Sequence, residues 1–259
     1  MILHAREPAP PGGAPAGVPP VVLLHGLFGQ ARNFGTIQRA LGQRARVIAL
    51  DARNHGDSPH APGMSYAEQA ADVHETLAAL GALPCLLVGH SMGGKTAMRL
   101  ALDRPADVLR LLVADVAPRG YRPHFRRHIQ AMQALDLTSG MTRAAADAAL
   151  ATQEPDPAVR GLMLQNLTFG PTPSWRIGLN EIAAGMDDVE GWSAPPDAAW
   201  PGPCLFLTGA RSDYVAEADR PAIRALFPAA RFVTLKGAGH WLHADNPNGF
   251  LAVLEAFIR

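Results

Sequence analysis

Six short apolar runs, separated by stretches of helical length, most constrain the fold of this 259-residue chain. The runs cover residues 21–24, 47–50, 85–88, 109–114, 204–208 and 232–235. Their length and predominantly apolar character are typical of strands that are buried on both faces. Helices are predicted in the amphipathic stretches 67–80, 96–103, 218–227 and 248–258. This alternation predicts an α/β fold, with a mostly parallel, doubly wound sheet flanked by helices.

The alternation is interrupted between residues 118 and 201. This stretch contains no run typical of a strand, and its Met, Leu, Phe and Trp residues recur at helical spacing. We predict an α/β core of residues 1–118 and 201–259, with residues 119–200 as a helical cap over the carboxyl edge of the sheet. Helices packed on one face of the sheet are the alternative. Residues 8–20, rich in Pro and Gly, are predicted to be a surface loop.

The charge balance excludes some classes of partner. Because 23 basic residues face 23 acidic ones, no nucleic-acid or acidic-membrane partner is predicted. No apolar run has the length of a membrane span, and the N-terminus lacks the pattern of a signal peptide. We therefore expect a cytoplasmic protein. Its expected oligomeric state is a monomer or a homodimer.

A G-x-S-x-G motif, residues 89–93 (GHSMG), directly follows the third apolar run. At a strand-to-helix turn this motif is typical of a nucleophile elbow, in which small glycines permit a crowded turn that exposes the serine hydroxyl. The start of the following helix directs N–H groups at a developing oxyanion, and Met92 is predicted to supply one of them. Ser91 is therefore predicted to be a catalytic nucleophile.

The same segment also matches a nucleotide-binding motif. Residues 89–96 (GHSMGGKT) fit a P-loop, and Asp115, after the next apolar run, is placed as a magnesium ligand would be. Two observations disfavour this alternative: the other parts of a hydrolase site are present elsewhere in the chain in the right order, and two strand–helix units precede the motif. A P-loop usually opens its domain.

Two further loops complete the predicted site. Residues 25–29 (HGLFG) follow the first apolar run, and the second oxyanion donor is predicted to be the N–H of Leu27, with Phe28 as second choice. Residues 237–241 (GAGHW) follow the last run, and His240 is predicted to be the base for Ser91. Trp241 is a predicted substrate-binding residue, whereas His243 is expected at the surface or in a supporting position.

The elbow, the HG loop and the late GHW sequence together resemble the α/β-hydrolase family. The family usually carries its acid three residues beyond the glycine that ends the penultimate strand, but this position is Ser212 here, and Asp213 is one residue late. Some members carry the acid one strand earlier, which corresponds to Asp115. We favour Asp115, with Ser212 as an auxiliary residue, and Asp213 stays the alternative acid.

Four segments narrow this resemblance to the small YbfF-type esterases: residues 51–60 (DARNHGDSPH), 89–96, 209–215 (GARSDYV) and 238–245 (AGHWLHAD). The resemblance implies serine-dependent hydrolysis of esters and acyl-CoA thioesters and a helical cap. It also implies a constellation of Ser91, Asp115, Ser212 and His240, with Lys95 as a helix-start residue. No metal or other cofactor is predicted.

A basic run without acidic residues begins four residues after Asp115: Arg119, Arg122, His124, Arg126, Arg127 and His128. We predict that Arg119, Arg126 and Arg127 bind a phosphate or carboxylate group, such as that of coenzyme A. A solvated helix start is the alternative. The sequence thus predicts a serine hydrolase that acts on a small-molecule ester or acyl-CoA substrate through an acyl-enzyme, and a non-catalytic receptor for a small ligand is the alternative of another class.

Overall fold

A computed structural model describes residues 1–8, 17–123 and 125–259. In chain order the strands are β1 (Ala5–Arg6), β2 (Val21–Leu24), β3 (Val47–Leu50), β4 (Cys85–His90), β5 (Val108–Ala114), β6 (Leu167–Thr168), β7 (Ser174–Trp175), β8 (Cys204–Gly209) and β9 (Ala230–Leu235). Seven of them form one sheet in the order β1-β3-β2-β4-β5-β8-β9. All neighbours in it are parallel except β1 and β3. The predicted α/β fold is thereby confirmed.

The α-helices occupy both faces of this sheet and the segment between β5 and β8. They are α1 (Gly35–Leu41), α2 (Tyr66–Ala79), α3 (Met92–Asp103), α4 (Arg126–Gln133), α5 (Arg143–Leu150), α6 (Pro157–Leu164), α7 (Leu179–Ala184), α8 (Met186–Glu190), α9 (Arg220–Leu226), α10 (Leu242–Asp245) and α11 (Pro247–Phe257). Short 3₁₀ turns cover Ala31–Phe34, Pro105–Asp107 and Glu217–Asp219. Helix α2 begins with a capping box, in which the side chains of Ser65 and Glu68 each accept a hydrogen bond from the other's backbone N–H.

Alternate side chains along each strand pack into two separate hydrophobic cores, one on each face of the sheet. Val22 and Leu87 point to the face that α2, α3 and α9 cover, whereas Val21 and Leu86 point to the face that α1 and α11 cover. The period of two along a strand makes this division unavoidable, and burial on both faces explains why the strands lack a polar side. Strand β9, at the edge of the sheet, exposes Val233, and the start of β5 exposes Leu109, so the prediction of burial on both faces was wrong at these positions.

Three details differ from the sequence-based predictions. Strand β4 continues to His90, which pairs with Ala114, and helix α3 begins at Met92 rather than at residue 96. Two glycines in its first turn lower the helical propensity that the prediction used. Strand β1 was not predicted, because two residues carry no detectable period. Of the predicted surface loop at residues 8–20, residues 9–16 lie outside the described part of the chain.

The segment between β5 and β8 contains α4 to α8 and a short antiparallel ladder of β6 and β7. The expectation that this stretch has no strand was therefore wrong, although each strand has only two residues. Its helices bury Met132, Met163 and Ile182 in a third core, which also includes Leu27 and Met92 of the region around the sheet. The segment thus packs on the loops that follow β2 and β4. No helix in the described ranges is long and apolar enough to cross a membrane.

Candidate active site

Ser91 occupies the sharp turn between β4 and α3. Its backbone lies at φ 52° and ψ −118°, a conformation that costs a residue with a side chain about 1–3 kcal/mol. The turn is crowded, since a Cβ atom at Gly93 would lie 2.5 Å from the carbonyl oxygen of Leu24. Only glycine fits at that position. The predicted elbow is thus present, and it holds Ser91 at the carboxyl end of the central strand.

The side chains of Ser91, His240 and Asp115 form one hydrogen-bonded chain. His240 Nε2 lies 3.1 Å from Ser91 Oγ, and His240 Nδ1 lies 2.8 Å from Asp115 Oδ2. Because an ionised carboxylate only accepts hydrogen bonds, Nδ1 carries the proton and Nε2 is left to accept from the serine hydroxyl. The three residues come from the ends of β4 and β5 and from the loop after β9. This arrangement can pass a proton from the hydroxyl to the imidazole.

Asp115 is fully buried and its carboxylate has a complete set of donors. Besides His240, it accepts hydrogen bonds from the Gly209 N–H at 3.0 Å and from the Ser212 hydroxyl. Asp213, the alternative acid, is exposed and lines a surface recess instead. Of the two predicted acids, the geometry therefore brings Asp115 together with His240, with Ser212 in contact as expected.

Two residues that the sequence interpretation missed hold the loop of His240. The Tyr214 ring stacks on the imidazole at a centroid distance of 3.7 Å, and His90 Nε2 lies 2.8 Å from the His240 carbonyl oxygen, to which it donates. Burial is the main reason why the pKa of His90 is well below its ordinary value, so His90 stays a neutral donor. His90 could have been suspected from its place beside Ser91, whereas no sequence pattern marks Tyr214.

The predicted oxyanion donors differ in whether their N–H groups already donate to another acceptor. Leu27 and Met92 line the same pocket as Ser91, and Met92 is the first residue of α3, where helices leave N–H groups without intrahelical partners. The Phe28 N–H donates to His55 Nε2 at 3.3 Å, whereas the Leu27 N–H has no partner among the described residues. The geometry thus favours Leu27 and Met92 over Phe28.

Two buried histidines fix the loop that carries Leu27. His25 Nε2 accepts from the Ala52 N–H at 3.0 Å, and His55 accepts from the Phe28 N–H. Burial, followed by the proximity of His25, lowers the pKa of His55 to about 3, so it remains neutral at ordinary pH. A Cβ atom at Gly26 would lie 3.1 Å from Ser91 Cβ, so glycine lets this loop approach the serine closely.

Three cavities lie at or near Ser91. A pocket of about 30 Å³ is lined by Ser91, Met92 and Lys95, among others, and it borders a surface recess of about 260 Å³ that contains Arg119 and Tyr214. A separate cleft of about 270 Å³ lies between α6 and the loop of residues 25–34, and Trp241 and His243 line it. Trp241 and Arg119 therefore border spaces next to the site, and His243 takes the supporting position.

The other predicted substrate-binding arginines form ion pairs. Arg126 contacts Glu190 at 2.7 Å and Arg127 contacts Glu154 at 3.3 Å, while Arg119 contacts Asp219 at 2.8 Å. The basic run has no acid in sequence, but the fold supplies one for each of these arginines. Because Arg126 and Arg127 are already paired with carboxylates, these contacts disfavour the prediction that the two arginines bind a phosphate group. His124 of the run lies outside the described residues.

The contacts of Lys95 and Asp115 disfavour the P-loop alternative. The Lys95 ammonium is buried against the carbonyl oxygen of Gly191, and Asp115 is bound to His240. His4, Asp51 and Asp57 have the spacing of metal ligands, but both Asp51 oxygens already accept hydrogen bonds.

Comparison with known proteins shows the family of this chain. Residues 21–253 match the model of the alpha/beta hydrolase family. The chain is 42% identical over 252 residues to the sn-1-specific diacylglycerol lipase ABHD11 of Mus musculus, a match that covers 94% of this chain and 82% of that protein. It is 35% identical to esterase YbfF of Escherichia coli, with 93% of each chain covered, so the resemblance to that branch is confirmed. A solved structure of a marine microorganism esterase superposes with a TM-score of 0.93 at 33% identity, covering 99% of each chain. The chain belongs to the α/β hydrolase family.

Proposed function

We propose that this protein is a serine hydrolase that cleaves carboxylic esters through an acyl-enzyme intermediate. Ser91 is the nucleophile, His240 the general base and acid, and Asp115 the group that orients His240. The hydrogen-bonded chain from Ser91 through His240 to Asp115, with links of 3.1 and 2.8 Å, is the observation that carries this proposal. The names of the relatives, an esterase and a lipase, support the same class of reaction.

In the first half of the reaction, Ser91 Oγ attacks the carbonyl carbon of the ester while its proton passes to His240 Nε2. The oxygen of the tetrahedral intermediate becomes negative and accepts hydrogen bonds from the N–H groups of Met92 and Leu27. Collapse of the intermediate breaks the bond to the leaving alcohol, which takes the proton from His240. The acyl group stays on Ser91.

In the second half, water replaces the alcohol. His240 accepts a proton from the water as its oxygen attacks the acyl carbon, and the second tetrahedral intermediate collapses to the carboxylic acid. The proton returns to Ser91 Oγ. Asp115 remains ionised throughout and stabilises the imidazolium that forms in each half. Ser212 and the Gly209 N–H hold the carboxylate toward His240.

Residues 119–200 act in this proposal as a cap that shapes the substrate site. Phe125 and Val189 of this segment line the pocket that also contains Ser91. A pocket of about 30 Å³ has room for a short acyl group rather than a long one, since a single water needs about 10–15 Å³ on this measure. Acyl-CoA thioesters are a second substrate class, for which the recess with Arg119 and Arg122 gives a path for the leaving group.

Hydrolysis of nitrophenyl esters of increasing acyl length, and of matched CoA thioesters, tests the proposal. We expect hydrolysis of short-chain esters by the native protein and a loss of at least about 10³-fold in kcat for Ser91→Ala. A ligand receptor on the same fold would bind these compounds without turnover. Equal hydrolysis by both proteins would show that another group performs the reaction.

A further inference from the structure

Lys95 is a buried cation beside Ser91 that none of the proposed reaction steps uses. It lies in the first turn of α3 with only 2% of its surface exposed. Its Nζ atom donates to the carbonyl oxygen of Gly191 at 2.6 Å and lies 3.4 Å from the carbonyl oxygens of Val189 and Glu190. These carbonyls stand at the end of α8, where a helix has no intrahelical donors for them.

Two tyrosines also donate hydrogen bonds to backbone carbonyls at this end of α8. The Tyr66 hydroxyl donates to the Val189 carbonyl at 2.6 Å, and the Tyr121 N–H donates to the Glu190 carbonyl at 2.8 Å. Both rings also flank the ammonium, with centroids 5.2 and 4.9 Å from Nζ, as in cation–π contacts. Elements from three parts of the chain therefore converge on one short stretch of backbone.

The same groups form the wall of the pocket at the proposed nucleophile. Ser91, Lys95, Val189, Tyr66 and Tyr121 all line the cavity of about 30 Å³. A shift of the backbone at the end of α8 would change the space beside Ser91. Contacts that hold this backbone in place therefore bear on which acyl group fits there.

We propose that Lys95 is a positioning residue that determines acyl-chain specificity: by binding the carbonyls of residues 189–191, its ammonium holds the end of α8 as part of the wall of the Ser91 pocket. This inference rests on the proposed ester hydrolysis. Lys95 touches neither the reacting bond nor His240 in the proposed mechanism, so its loss should change the choice of substrate more than the rate for the smallest one.

The charges around Lys95 make this attachment sensitive to pH. Burial, followed by repulsion from Arg119, lowers the pKa of Lys95 to about 7, while attraction by Glu190 opposes the shift. Glu190 is itself paired with Arg126 at 2.7 Å, Arg122 also lines the pocket, and the rings of Tyr66 and Tyr121 flank the ammonium. As pH rises through about 7, the ammonium loses its charge and its hold on the carbonyls weakens.

The proposal is tested by comparing kcat/KM for an octanoyl ester with kcat/KM for an acetyl ester. The ratio of the first value to the second is measured from pH 6 to pH 8.5. Proton transfer through His240 is common to both substrates, so its contribution cancels in this ratio. For the native protein the ratio should rise with pH, by roughly tenfold, the discrimination that one methylene gives a pocket. For Lys95→Met it should be high at all pH values.

Arg99→Met is the matched control. Arg99 lies one turn later on α3 and donates to the Ser193 carbonyl at 3.2 Å, so it also links α3 to the region after α8, but outside the pocket. Its variant should keep the native ratio and the native pH dependence. A ratio that is independent of pH in the native protein and unchanged in Lys95→Met would overturn the proposal.

Amide hydrogen exchange separates this inference from the proposed function. At one fixed pH, residues 186–191 should exchange faster in Lys95→Met than in the native protein or in Arg99→Met. Unchanged exchange would reject the attachment itself. If the native protein hydrolysed no ester, the proposed function would fail, while the exchange rates would still decide whether Lys95 holds α8.

Discussion

At the scale of single residues, the candidate site depends on which carboxylate reaches His240. Ser91 and His240 are recognisable from their motifs, because the chemistry requires these residue types in glycine-containing turns after strands. The acid carries no motif of its own, and only the family resemblance favours Asp115. Tyr214 and His90 act through tertiary contacts, a ring stack and a backbone hydrogen bond, which no local pattern encodes.

The pair Asp115→Asn and Asp213→Asn tests this assignment with the same one-atom change at both positions. The first substitution would offer His240 an amide in place of a carboxylate, which disfavours the tautomer that the reaction needs and removes the charge that stabilises the imidazolium. We expect kcat for a short-chain ester to fall by about 10⁴-fold. Asp213→Asn should stay close to the native rate, because Asp213 is exposed in a separate recess. The reverse pattern would move the acid to Asp213.

At the scale of elements, the turn between β4 and α3 is the part of the fold on which the site depends most. The buried strands were predictable because each is a predominantly apolar run, and all six predicted runs end within two residues of the observed strand bounds. The sequence pattern places the start of α3 a turn too late, since helical propensity ignores the close packing that requires glycines there. The ladder of β6 and β7 was not predicted, because each of its strands has only two residues.

Gly93→Ala and Gly161→Ala test the importance of this turn, because both add one methyl group to a helical glycine. At Gly93 the new Cβ would lie 2.5 Å from the Leu24 carbonyl oxygen, so the oxyanion loop or the elbow must shift. A misplacement of this size should lower kcat/KM by about 10²-fold. In α6 the Cβ at Gly161 meets nothing within 4 Å, so the activity should be retained and the helix stabilised by up to about 1 kcal/mol. Full activity of Gly93→Ala would show that the turn tolerates the shift.

At the scale of the whole molecule, tertiary structure rearranges the charges that the sequence displays. The basic run after Asp115 suggested an anion site, but Glu154 and Glu190, which lie far along the chain, pair with its arginines. Conversely, several histidines are removed from water: burial lowers the pKa of His25, takes that of His90 well below its usual range and brings that of His243 to about 4. These pairings depend on the complete fold, so the local sequence could not predict them.

Because these histidines are neutral in the folded protein, we expect acid to destabilise it at pH values well above the pKa range of its carboxylates. The pKa of His55 is about 3 in the folded protein and 6.5 when the chain unfolds, so the unfolded state takes up the proton first. The free energy of unfolding should therefore fall as pH drops below about 6.5, by about 2 kcal/mol per such histidine between pH 7 and pH 5. Urea unfolding at a series of pH values measures this slope. His55→Gln, which cannot titrate, should flatten it, and a slope equal to that of the native protein would show that His55 does not contribute.

The most direct measurement of the central claim is the identification of the covalently modified residue by mass spectrometry. After reaction with a nitrophenyl phosphonate, which is attacked as an ester is but leaves a stable adduct, we expect one adduct per chain, located on Ser91. Its rate of formation should fall strongly in His240→Ala. An adduct on another residue, or none while ester hydrolysis continues, would contradict the account.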